Sequence, residues 1–144
     1  MQLPLDAITS SATETEELGA AFAELLLPGD VVWLEGDLGA GKTVLARGCL
    51  RALGVEAVVT SPTFTIARRY GGSNVSVSHL DLYRLGDNLA GEDPGVFDPE
   101  FGDDRITLVE WPRRGEGVLP AANYRVELAH ESLDTRRLRI SKCQ

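Results

Sequence analysis

Apolar residues fall into a few regular patterns along the chain, and each pattern predicts an element. In residues 13–27, Leu18, Phe22, Leu25 and Leu26 recur at helical spacing, so a helix with one buried face is expected there. Thr13 and Glu16 have the spacing of a capping box, in which each side chain satisfies a free backbone N–H of the first turn. Pro28-Gly29-Asp30 then stops the helix and turns the chain. Val31-Val32-Trp33-Leu34 is a short continuous apolar run, as expected of a strand buried on both faces. Residues 42–53 return to helical spacing, with Gly54 placed as a C-terminal stop. Residues 64–70 and 75–80 read as strands of a hairpin turned by Gly71-Gly72-Ser73-Asn74. Residues 85–104 are acidic and interrupted by Gly and Pro, which suggests a surface loop with a short helix. Residues 105–110 form another strand. Residues 124–129 and 136–140 alternate polar and apolar side chains, with a turn at 131–135. The expected fold is a three-layer α/β domain: a mixed, mainly parallel sheet to which hairpins add antiparallel strands. No repeat or linker interrupts the pattern, so residues 1–144 are expected to form one domain.

Composition narrows the functional classes. The chain has 144 residues with a formal net charge of −8. An acidic balance argues against independent binding of nucleic acid, because phosphate contacts need clustered Lys and Arg. If RNA is involved, a partner is expected to hold it. The two cysteines, Cys49 and Cys143, form no CxxC pair, which points to a reduced, cytoplasmic setting rather than to a zinc site or redox motif. No apolar stretch approaches the roughly 20 residues needed to span a bilayer, so no membrane association is expected. The first residues lack the basic start and apolar run of a signal peptide.

One motif carries specific chemistry. Gly36-Asp37-Leu38-Gly39-Ala40-Gly41-Lys42-Thr43 matches GxxxxGK[ST] completely, and it lies between an apolar strand and a helix. Small residues let backbone N–H groups approach phosphate closely, and the following helix points its positive end at the anion. Lys42 can reach the β and γ phosphates and assist the chemistry, while the Thr43 hydroxyl can ligate Mg²⁺. Binding of ATP and Mg²⁺ is therefore expected. An enzyme of this kind also needs a carboxylate at the end of a neighbouring strand, to organise the metal or position the attacking water. Glu110 ends the run Ile106-Thr107-Leu108-Val109, and Asp81 ends Val75-Ser76-Val77-Ser78-His79-Leu80; both are candidates. His79 reads as a structural group. Arg84 is either a phosphate-facing arginine or half of a surface ion pair. Trp111 either stacks near the nucleotide or fills core. Ser11, Thr13 and Arg136 are candidates for contact with the adenine or ribose. Thr60-Ser61-Pro62-Thr63 lies where such proteins sense the γ-phosphate through a threonine.

Taken together, GDLGAGKT, RGCLRALG, SPTF, HLDLYRL, VEWP and GEGVLP resemble, in order and spacing, the TsaE (YjeE) family. These are bacterial ATPases that support threonylcarbamoyladenosine (t6A) synthesis on tRNA. The likeness runs from about Thr9 to the last strand. It implies an ATPase that binds ATP and Mg²⁺, is weak alone and is stimulated by partners. Those partners would be the TsaD–TsaB pair, in which TsaD transfers threonylcarbamoyl to tRNA, so that this chain meets tRNA only indirectly. It further implies that Thr43 ligates Mg²⁺, that Glu110 is the Walker B-like acid and that Asp81 is a second essential acid. Alone, the chain is expected to be a monomer.

Three other readings share the loop: a small-molecule kinase, a regulatory GTPase and a non-enzymatic ATP-sensing module, the last separated by turnover measured with and without TsaD and TsaB. A small-molecule kinase would need a lid with several arginines, for which Arg68-Arg69 and Arg113-Arg114 are the candidates. A regulatory GTPase would need DxxG and NKxD motifs; no Asp here has Gly three residues later, and neither lysine lies in NKxD.

Overall fold

A computed structural model describes residues 1–57, 67–83 and 97–143. Among them are seven strands and two α-helices: β1 (Leu5–Thr9), α1 (Ala12–Ala23), β2 (Val31–Glu35), α2 (Lys42–Ala52), β3 (Ala67–Gly71), β4 (Ser76–Asp81), β5 (Arg105–Glu110), β6 (Tyr124–His130) and β7 (Arg136–Lys142). The strands form one sheet in the order β1-β7-β6-β2-β5-β4-β3. The four central strands, β6, β2, β5 and β4, run parallel. Antiparallel pairings add β3 at one end and β7 and β1 at the other. This is the mixed α/β sheet expected from the patterning.

Side-chain alternation divides the core between the two faces of the sheet. Val32 and Leu34 of β2, Ile106 and Leu108 of β5 and Val77 of β4 pack with Phe22 of α1 and with Leu45, Ala46, Cys49 and Leu50 of α2. Both described helices therefore cover one face. On the other face, Val31, Leu80 and Val109 meet Leu82 and Phe97, flanked by Trp111, Val118 and Leu119. That face is covered, among the described residues, by short 3-10 turns at Asp98–Glu100 and Pro112–Gly115 and the segments beside them.

The two helices meet backbone to backbone through glycine. A Cβ on Gly48 would lie 1.9 Å from the Glu16 carbonyl oxygen, and one on Gly19 would lie 2.3 Å from that of Leu45. Neither position has room for a side chain, and Cys49, at the same crossing, donates its thiol hydrogen to the Gly19 carbonyl at 3.3 Å. Because α2 begins where the phosphate motif ends, this contact also fixes the direction of the α2 N-terminus.

Two local expectations are corrected, and one strand was not expected. The cap of α1 is Ser11, whose Oγ accepts from the Glu14 N–H at 3.1 Å, while Glu14 accepts from the Ser10 N–H at 3.3 Å. The Thr13–Glu16 frame is not used, because Glu16 pairs instead with Arg51 of α2. The helix ends at Ala23, and the residues up to Leu27 form turns, with Leu27 exposed. Strand β1 follows no pattern identified in the sequence. The 71–74 and 131–135 turns do join antiparallel pairs, β3 with β4 and β6 with β7. The expected strand start at 64–66, the Thr60–Thr63 sensor, Arg84 and residues 85–96 lie outside the described residues.

Candidate functional site

The site is built where the parallel strands end. β2 runs directly into the glycine-rich loop, and that loop into α2. Gly36 turns the chain so close to β6 that a Cβ there would lie 2.4 Å from the Leu128 carbonyl oxygen. Gly41, the residue before α2, has φ 106°, a left-handed conformation that glycine adopts without strain. No side chain caps this helix. Its first N–H groups therefore lack intrahelical partners and face outward as an anion cradle, with the positive end of the helix dipole behind them.

Neighbouring strands supply the acids. Asp81 and Glu110 are register partners at the ends of β4 and β5. Alternation from Val77 and from Leu108 places both on the helix-covered face. A cleft of about 260 Å³ is lined by Leu38, Gly39, Gly41, Lys42, Thr43, Val44, Asp81, Tyr83, Glu110 and Trp111. Glu110 is almost wholly buried, and both its oxygens lie 3.4 Å from the Thr43 hydroxyl. His79, fully buried on β4, lies 2.6 Å from Glu110 Oε2 through its Nε2. The Tyr83 N–H donates to Asp81 Oδ1 at 3.0 Å, which bends the chain back over the strand end.

Lys42 folds back over its own loop. Its Nζ donates to the Gly36 carbonyl and, at 2.9 Å, to that of Asp37. The ammonium also sits 4.3 Å from the Trp111 ring centroid. Burial pulls the Lys42 pKa below the ordinary lysine value, opposed by Glu110 and then by Asp81 and Asp37. Both hydrogen bonds of the ammonium go to loop carbonyls, which a phosphate oxygen can replace as acceptor. Trp111 is the one described non-glycine residue with positive φ, at 59°. Tyr83 tilts against it with ring centroids 5.0 Å apart, and the Arg114 guanidinium lies over both rings. These aromatics wall the cleft at the Lys42 end.

A second cleft, of about 140 Å³, opens on the other side of the same loop, lined by Ser11, Ala12, Thr15, Gly39, Gly41, Val44, Asp134 and Arg136. Ser11 and Arg136 are thus brought to the loop from the α1 cap and the start of β7. Thr13 is not: it is exposed and lines neither cleft. Ala40 is buried beneath the loop, and Asp37 contributes its carbonyl to Lys42. Sequence patterning did not single out Thr15, Val44 or Asp134. Thr15 is tied to Thr9 of β1 by a 2.6 Å hydroxyl contact, so it reaches the cleft through the strand that patterning also missed.

The donor set fits a hard divalent cation. The Thr43 hydroxyl and the Glu110 carboxylate bring oxygen atoms within 3.4 Å of one another beside the loop, the donor type that Mg²⁺ takes alongside phosphate oxygens and water.

A parallel strand, a glycine-rich loop, an uncapped helix and an acid on the adjacent strand define a P-loop nucleotide-binding fold. Comparison with known proteins narrows this. The family model of threonylcarbamoyl adenosine biosynthesis protein TsaE matches residues 9–138, and the chain belongs to that family. It is 43% identical over 115 residues to the tRNA threonylcarbamoyladenosine biosynthesis protein TsaE of Haemophilus influenzae, covering 76% of this chain and 72% of that one. It is 37% identical over 130 residues to the protein of the same name from Bacillus subtilis, covering 90% and 80%. A crystal structure of Bacillus subtilis YdiB superposes with a TM-score of 0.81 at 30% identity, covering 99% of this chain and 88% of that one.

Proposed function

We propose that this chain is a P-loop ATPase that binds ATP with Mg²⁺ and hydrolyses it to support a TsaD–TsaB complex during t6A modification of tRNA. The observation that carries the reading is the convergence of Lys42, Thr43, Asp81 and Glu110 on one cleft at the N-terminus of α2. Family membership supports the pathway, because relatives along nearly the whole chain carry t6A biosynthesis in their names.

The residues divide the work as follows. The N–H groups of Gly39 and of residues 41–43 and the Lys42 ammonium hold the β and γ phosphates, the Ala40 N–H being bonded to the Asp37 carbonyl and the lysine exchanging its loop carbonyls for phosphate oxygens. Thr43 and Glu110 would hold Mg²⁺, which when bound neutralises phosphate charge as it builds on the leaving oxygen. Asp81 accepts a hydrogen bond from the attacking water and sets its line of approach. Trp111 and Tyr83 limit the access of other water to the phosphate end. The second cleft, with Ser11 and Arg136, takes the nucleoside end. In the absence of a guanine-reading motif, ATP is preferred to GTP. Arg69 and Arg113, which a kinase lid would need, are instead tied to Glu100 at 2.6 Å and to Glu35 at 3.3 Å.

With a net charge of −8, the protein is proposed to act in the cytoplasm as a single-domain monomer that reaches tRNA only through its partners. The test is reconstitution of multi-turnover t6A formation with TsaD and TsaB. Adding this protein and ATP should raise product yield, and the ATP-loaded form should co-elute with the pair. Equal yield with and without the protein, together with partner binding indifferent to nucleotide, would leave only a generic ATPase.

A further inference from the structure

One fully buried polar side chain beside the cleft has no part in the scheme above. His79 has zero exposure, and its Nδ1 is buried with no hydrogen-bond partner among the described residues. Burying a ring nitrogen without a partner is costly, and an apolar residue would fill the position without that cost. Val77, two residues earlier on the same face of β4, is such a residue. The reason for a histidine must therefore lie with its other nitrogen. Nε2 is 2.6 Å from Glu110 Oε2, and a carboxylate accepts, so Nε2–H donates to that oxygen.

The geometry shows what this bond does. Glu110 is the terminal residue of β5, and its carboxylate must stay turned toward Thr43, 3.4 Å from each of its oxygens. A glutamate side chain has three rotatable torsions, and the terminal one is broad. A donor fixed in the core and bonded to Oε2 sets the plane of the carboxylate, holds both oxygens within 3.4 Å of the Thr43 hydroxyl and leaves Oε1 without a histidine partner. His79 itself is rigid, since it is packed within the sheet opposite Leu108 of β5. Outer partners of this kind orient the ligands of metal sites.

We infer that His79 is a positioning residue for the reaction, its Nε2–H pinning one oxygen of Glu110 so that the other serves the metal–phosphate site. This rests on the role given to Glu110 above, and the experiment separates the two. The protein has two histidines, and His130 is exposed, so the imidazole N–H protons can be assigned by nuclear magnetic resonance. A slowly exchanging Nε2–H signal from His79 should be present in the wild type and lost in Glu110→Ala. His79→Leu should lower kcat about 10- to 100-fold and weaken Mg²⁺-dependent ATP binding, with metal-free ADP affinity unchanged. His79→Gln, whose amide N–H can reach the same oxygen, should recover most of both. In a Glu110→Ala background, His79→Leu should add no further loss of Mg²⁺-dependent binding. Wild-type kcat in His79→Leu while Glu110→Ala is inactive would overturn the inference alone. So would equal losses in the Gln and Leu variants, or losses that add in the double variant. Normal turnover in Glu110→Ala would instead remove the role of Glu110, and this inference with it. Should His79→Leu fail to fold, His79→Gln with wild-type kcat supports the inference, His79→Gln as slow as Glu110→Ala overturns it, and absence of the Nε2–H signal from the wild type also overturns it.

Discussion

The glycine-rich loop has two flanks, and they are built differently. On one side, Asp81 and Glu110 project from the ends of two central parallel strands, Glu110 backed by the buried His79 and walled by Trp111. On the other, Ser11, Asp134 and Arg136 come from a helix cap, a turn and the start of an outer antiparallel strand. The first flank is buried and dense in charge. On the second, Ser11 and Asp134 are exposed, and the arginine donates to backbone carbonyls of its own turn, at 3.1 and 3.3 Å. Fixed charges in a buried setting suit bond breaking, where misplacement is penalised steeply. Adaptable contacts at a surface suit recognition of the unreacting end of a ligand. The division implies that substitutions on the first flank act mainly on turnover, changing affinity only through the metal, and that those on the second act on affinity.

The largest effect should come from the acids. Glu110→Ala and Asp81→Ala should lower partner-stimulated turnover on the order of 10²-fold or more while ATP still binds. Single-turnover kinetics beside calorimetry would show it, and normal turnover in either variant would erase the contrast. Next comes the loop lysine, which borders the first flank but grips the ligand. Lys42→Ala should weaken ATP binding by about 1.5–3 kcal/mol, the worth of a charge-assisted hydrogen bond. Calorimetry showing unchanged affinity would remove the loop from the site. Ser11→Ala should cost about 1 kcal/mol of folding stability through the lost α1 cap, read as a shift in the urea midpoint. The smallest pair sharpens the outline of the second flank. Arg136→Ala should weaken ATP binding by about 1 kcal/mol, whereas Thr13→Ala should stay within about 0.5 kcal/mol of wild type. Equal effects in a competition assay would show that the second cleft does not hold the nucleoside.

Much of the first flank was legible from sequence, because each part is local: a strand, a loop of fixed spacing and an acid ending an apolar run. That Asp81 and Glu110 are neighbours was not legible, since it depends on the pairing of β4 with β5, which joins residues 29 apart in number. The same pairing brings His79 to Glu110, which is why the histidine read as structural. The second flank was harder. β1 is a five-residue edge strand with Ile8 exposed, so its pattern is faint, and its partner β7 lies at the far end of the chain. The α1 cap was expected at Thr13–Glu16, and the structure uses Ser11–Glu14 instead. Propensity does not choose between them; the ion pair that draws Glu16 to Arg51 does.

The glycine crossing of α1 and α2 also turns the protein into its own chemical clock. Cys49 is sealed beneath it, and burial pushes its thiol up to about 12, which suppresses the reactive thiolate. Cys143, near the end of β7, is only partly covered. A thiol reagent should therefore mark Cys143 promptly and reach Cys49 only when the helices part. The lag between the two adducts, followed by mass spectrometry, times that opening, and ATP should lengthen it if the nucleotide holds α2 in place.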